Sequence, residues 1–107
     1  MEKVTVFRDG KRDLEFMGEL VAAHTSNEVG GRWQELRLWK TKGGRWVCER
    51  VGMTKWQGEH DRYEGAPCSN LAQVVEFFGL GGAAKDLYGK AGIEVTENPD
   101  DEPTNTR

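Results

Sequence analysis

The sequence predicts an α+β fold: an antiparallel meander of about four or five strands, with one or two C-terminal helices packed on one face. Three observations lead there. Runs of period-two alternation bounded by turn residues fill the chain as far as about residue 64. Apolar residues then recur at helical spacing in two short stretches that end at glycines. Strands come first and helices after, with no alternation of the two and no internal repeat.

Residues 3–8, KVTVFR, place Val4 and Val6 on one parity and stop at Asp9-Gly10, which reads as a strand and a tight turn. Leu14 to His24 reads as a second strand with Phe16, Gly18, Leu20 and Ala22 on one side and Met17, Glu19, Val21 and Ala23 on the other. Thr25 to Gly31 is a loop by its turn residues.

Arg32–Lys40 and Arg45–Met53 form the clearest hairpin, joined by Thr41-Lys42-Gly43-Gly44. With Lys42 and Gly43 at the turn, Trp39 opposes Trp46, Leu38 opposes Val47, Arg37 opposes Cys48 and Glu35 opposes Arg50. Alternation then sorts the hairpin into a Leu36, Leu38, Val47, Val51 side and a side bearing Trp33, Arg37, Trp39, Trp46 and Arg50. Side-chain parity has a period of two, so a slip of one residue would reverse one strand.

Residues 54–64 continue as an extended or looped segment carrying Trp56, His60 and Tyr63, ended by Gly65-Ala66-Pro67. Ser69 or Asn70 caps a helix on which Leu71, Val74, Val75 and Phe78 share a face. Residues 83–91 make a second helix ending at Gly92, and Ile93 to Val95 docks as a last extended piece. The domain is therefore placed at residues 1–95. Residues 96–107 contain no apolar side chain and two prolines, and read as a disordered acidic tail.

The formal net charge of −3 conceals an asymmetry. Residues 29–63 hold eight bases and four acids, a balance of +4, whereas from Glu94 onward five acids face Arg107 alone. At 107 residues there is room for one core. No apolar run reaches the length of a transmembrane helix, and the charged N-terminus lacks the apolar centre of a signal peptide. A soluble, cytoplasmic protein is the expectation. In a reducing compartment Cys48 and Cys68 are read as free thiols; bridged, they would clip the sheet diagonally.

Catalytic motifs are lacking. His24, Cys48, His60 and Cys68 have no zinc-like spacing, so no metal or other cofactor is expected. Cys48 or Cys68 with His60 could serve nucleophilic chemistry, yet no oxyanion-hole pattern follows either cysteine. Gly79-Leu80-Gly81-Gly82 lacks the Lys-Ser/Thr of a phosphate loop. The expectation is a binding protein without enzymatic activity.

Its candidate partner-binding residues are Trp33, Arg37, Trp39, Trp46 and Arg50, with Trp56 and His60 nearby. Flat aromatic rings beside cations suit stacked bases and phosphates, and equally suit the anchor positions of a protein interface. The partner is thus nucleic acid or protein, with no membrane role. A homodimer built through this face, or an inhibitor or adaptor role, is the alternative. A different account makes the tryptophans a second core, covered by the N-terminal strands or by residues 54–64.

The run RWQELRLWKTKGGRWVCERVG, followed by the helical AQVVEFF, resembles WGR-type domains, small sheet-plus-helix modules of nucleic-acid-linked proteins. The resemblance spans roughly residues 32–91. Arg50-Val51-Gly52-Met53 stands where the family has Trp-Gly-Arg, so no functional residue transfers. In general style the chain also resembles small proteins carried by bacterial plasmids, phages and integrated elements.

Overall fold

A computed structural model describes residues 1–95. The acidic tail expected at 96–107 lies outside the described residues. The chain forms β1 (Glu2–Val6), β2 (Leu14–Thr25), β3 (Arg32–Thr41), β4 (Trp46–Thr54) and β5 (Arg62–Cys68), then α1 (Leu71–Phe78) and α2 (Gly82–Ala91). The strands pair antiparallel in sequence order, a five-stranded meander, and the architecture is α+β as the alternation predicts.

Besides a seven-residue connection, 7–13, where a tight turn at Asp9-Gly10 is expected, three details depart from the sequence expectations. The first is the hairpin register. Lys40 pairs with Trp46, Trp39 with Val47, Leu38 with Cys48, Arg37 with Glu49 and Leu36 with Arg50. The turn holds three residues: Thr41 N–H donates to Arg45 O, Gly44 N–H donates to Thr41 O, and Gly44 sits at φ 86°. A left-handed glycine closing a three-residue loop sets a register one step from that of the expected turn. Every β4 side chain therefore changes face.

The second is a bulge in β2. Leu20 pairs with Trp39 and Ala22 with Leu38, so Val21 is extra. Phe16 and Leu20 consequently share the face of Trp39, while Ala22 and His24 share the face of Leu38 and Leu36. The third is β5. Gly65-Ala66-Pro67, expected to end the extended segment, lies inside a strand that runs on to Cys68. A proline is tolerated there because β5 is the last strand of the sheet and loses no ladder hydrogen bond.

The sheet curls until its two outer strands meet at one corner. Asp9 N–H donates to Tyr63 O at 2.9 Å, Tyr63 N–H donates to Asp9 Oδ2 at 2.9 Å, and Phe7 meets Tyr63 edge to face. Two glycines permit the curl. A Cβ on Gly18 would lie 2.6 Å from Lys40 O, and one on Gly65 would lie 2.6 Å from a Val6 methyl. Inside the curl Val4, Val6 and Val47 are buried with Leu14, Phe16 and Trp39 packed round them.

The main core lies on the other face, beneath the helices. Ala22, Leu36, Leu38, Cys48 and Cys68 of the sheet meet Val74, Phe78, Ala84, Leu87 and Tyr88. Asn70 caps α1 by accepting from Gln73 N–H, and Gln73 Oε1 accepts from Ser69 N–H, a reciprocal cap. Tyr88 Oη donates to Gly79 O at 2.7 Å and so ties the end of α1 to α2. Ile93 and Val95 pack against the same core.

Candidate binding cleft

The shifted register divides the predicted aromatic and arginine set. Trp33, Arg37 and Trp39 stay together on the inner face of the curl. Trp46 and Arg50 stand on the helix side. A single five-residue stacking face does not form.

Each divided residue is engaged. Trp39 packs in the small inner core and its indole N–H donates to Glu49 Oε1 at 3.0 Å. Arg37 reaches Glu35 at 2.6 Å and Glu49 at 3.3 Å. Glu49, only 7% exposed, is thus a buried carboxylate satisfied by an indole and a guanidinium. Its charge, with that of Glu35, more than offsets Arg37. Trp46 packs against the main core under the ammonium of Lys40, 3.8 Å from its ring centroid. Arg50 pairs with Glu64 at 2.9 Å and donates to Phe77 O at 2.8 Å, with its guanidinium over the Phe77 ring. It joins the sheet to the C-terminal end of α1.

What remains open lies at the end of the sheet beyond the helices. A cleft of about 1080 Å³ opens between the ends of β3, β4 and β5, lined by residues that include Trp33, His60, Arg32, Arg62, Met53 and Asp61. A smaller groove of about 330 Å³ adjoins it over Gly52, between Gln34, Arg50, Arg62 and Glu64. Of the predicted residues, the structure brings Trp33 and His60 to this cleft and sets Trp56 on its flank.

Residues 26–31 and 54–61 frame the cleft and brace each other. Lys55 N–H donates to Gly31 O at 3.0 Å, Lys55 Nζ pairs with Glu28 at 3.0 Å, and Trp56 Nε1–H donates to Gly30 O at 2.6 Å. The Trp56 ring lies against Gly31, where a Cβ would collide with it. Arg32 forks onto both oxygens of Glu59, and Thr54 Oγ1 adds a third bond to that carboxylate at 2.5 Å. These partners hold Glu59 below the usual carboxylate range, Arg32 foremost, and the same pairing raises Arg32. Asp61 accepts from Thr54 N–H at 3.1 Å.

The arrangement leaves two apolar side chains presented to solvent on these braced loops, Trp56 at 50% and Val29 at 77% exposure. Among the described residues Arg62 has no carboxylate within ion-pair distance. Sequence reasoning missed Arg32, Arg62 and Val29. The signal available was the clustering of bases in 29–63, which carries no information about which ones are neutralised internally.

The weighed catalytic and metal sets do not assemble. Cys48 and Cys68 lie in the main core with their thiols pushed up by burial, whereas His60 is on the exposed cleft loop. His24 is held by Lys90 at 3.1 Å and Asp86 at 3.6 Å, on the α2 side of β2. Among the described residues no group of three or more His, Cys, Asp or Glu could hold a metal ion. Nor is any helix among them long and apolar enough to cross a membrane.

Fold and cleft together define a small α+β domain with a braced two-loop recess at one end of its sheet. Comparison with known proteins gives no match to a family model, a curated protein or a solved structure.

Proposed function

We propose that the chain is a non-enzymatic binding protein that seats a segment of a protein partner at the loop-framed cleft. The carrying observation is that two mutually braced loops hold Trp56 and Val29 exposed beside a recess lined by Trp33, Met53, Arg62 and His60. Rigid presentation of a large aromatic lowers the ordering entropy lost on association. An aromatic anchor with an arginine beside it, rimmed by ion pairs, matches the energetic anatomy of protein interfaces.

Nucleic acid is the second reading, and internal pairing of Arg37 and Arg50 weighs against it. Tight nucleic-acid binding draws on several cations that can meet phosphates. Here the aromatic face that looked most suited to stacking is neutralised by Glu35 and Glu49.

The test couples capture to variants. The full chain should recover one stoichiometric protein from cells that express it. Trp56→Ala and Arg62→Glu, both at exposed positions, should lose it while keeping the wild-type circular dichroism. Tryptophan fluorescence should be unchanged by single- or double-stranded oligonucleotides at low salt. Salt-sensitive quenching by oligonucleotides, with capture of protein indifferent to both substitutions, would reverse the assignment. Sedimentation at two concentrations reads out self-association as the partner.

A further inference from the structure

Two thiols with no place in the cleft lie in contact inside the main core. Cys48 is the third residue of β4 and Cys68 is the last residue of β5. Cys48 pairs with Ala66 and Cys68 with Trp46, so both side chains project to the helix side and meet on the diagonal. Their sulfurs are 3.6 Å apart and both are free. A disulfide needs about 2 Å, with Cβ atoms close together, as on neighbouring strands. Diagonal neighbours stand farther apart than directly opposed residues, so the bond needs side-chain rotation together with a shift of the chain end at Cys68.

We propose that Cys48 and Cys68 form a reversible dithiol–disulfide pair, in which Cys68 reacts first with the oxidant and Cys48 resolves. The order follows from cover. Cys48 is wholly inaccessible and Cys68 is 4% exposed, at the junction leading into α1. That helix has eight residues and buries only Val74 and Phe78. Although Arg50 and Tyr88 also tie down its C-terminal end, an eight-residue helix opens locally more readily than the five-stranded ladder beneath it. Burial holds both thiols in the protonated form, so reaction waits on such opening.

The oxidant is a low-molecular-weight disulfide of the glutathione type. The Cys68 thiolate, its proton released to water, attacks one sulfur of the oxidant. A mixed disulfide forms and one small thiolate leaves. Cys48 then loses its proton and attacks the Cys68 sulfur; the Cys48–Cys68 bond forms and the second small thiolate departs. Two thiols are oxidised, one small disulfide is reduced to two thiols, and the balance closes. The new bond closes a loop from 48 to 68 that contains residues 54–61, one of the two loops framing the cleft. In the folded state the β4–β5 ladder separates the bond from that loop, so oxidation acts on the stability of the whole domain rather than on the placement of Trp56 and His60.

The experiment treats reduced, folded full-length protein with excess oxidised glutathione, quenches in acid, alkylates under denaturing conditions and maps peptides by mass. The expected product is lighter by two hydrogens, takes up no alkylating agent, links the Cys48 and Cys68 peptides, and reverts with dithiothreitol. Its urea midpoint should exceed that of the reduced form, because a closed loop restricts the unfolded chain. Cys48→Ser should stop at a single glutathione adduct on Cys68. Adducts on both cysteines of the wild type, linkage only between chains, or a bond that forms only in unfolding concentrations of urea would each overturn the pairing. These wild-type outcomes stand even if the serine variant fails to fold.

Discussion

Trp39 donates its indole N–H to the buried carboxylate of Glu49, 3.0 Å away and one rung along the same face of the β3–β4 hairpin. With Arg37 at 3.3 Å from the other oxygen, Glu49 is the centre of a polar triad set beside the inner core. The tryptophan that looks from sequence like a binding surface gives its indole N–H to this acid, and Arg37 divides its guanidinium between Glu49 and Glu35. The inner face of the curl is therefore a structural feature rather than an empty platform.

Removing the acid should expose that dependence. Glu49→Ala leaves a desolvated indole N–H without its acceptor and Arg37 with Glu35 alone. A loss of about 2–3 kcal/mol in urea unfolding is expected, the range for truncating a buried charged hydrogen-bond partner. Glu49→Gln keeps an oxygen for Trp39 and should lose less. Equal losses for both variants would show that the indole contact contributes nothing.

Arg50 should act on α1. Its bonds to Phe77 O and Glu64, with its packing over Phe77, join the end of that helix to β4 and β5. Arg50→Ala is expected to speed amide exchange in 71–78 selectively and to lower stability by about 1–2 kcal/mol. Arg50→Lys should recover only part, since an ammonium cannot fork between a carboxylate and a carbonyl while stacking on a ring. Uniform acceleration over the whole sheet would contradict a local anchoring role.

The buried thiols predict an alkaline decline under reducing conditions. Burial, then the neighbouring Cys68 sulfur, raises Cys48 far above the ordinary thiol range. The neutral thiol is favoured by the fold, so its contribution is complete below about pH 8.5, the value in an unfolded chain. Above that the unfolded chain releases the proton and the folded chain keeps it. Stability then falls by about 1.4 kcal/mol per pH unit for one such group, and continues to fall as pH climbs towards the folded value. Urea unfolding at pH 8 and pH 10 should show a shallower slope for Cys48→Ala than for the wild type, whatever the absolute stability of the variant. Parallel slopes would rule it out.

Much of the architecture is legible in local pattern. Val4 and Val6, the alternation through 32–53, Asn70 ahead of the 71–78 stripe and Gly92 after the second helix each report a neighbour relation within a few residues. Periods of two and near four are set by backbone geometry and so show in the sequence wherever no bulge interrupts them. The candidate site was legible only in part. Trp33, Trp56 and His60 belong to the cleft or its flank, whereas Trp39, Trp46, Arg37 and Arg50 serve the two cores and α1.

The amino-acid order by itself thus determined that four or five extended runs precede one or two short helices, and that bases gather in 29–63. Tertiary structure alone decided which faces those side chains occupy. One left-handed glycine, Gly44, and one extra residue, Val21, each shift parity by a single step, and a single step moves a side chain to the opposite side of a sheet. Which cations remain open depends in turn on cross-strand neighbours such as Glu49 and Glu64, partners that pairing brings near and that spacing along the chain does not reveal.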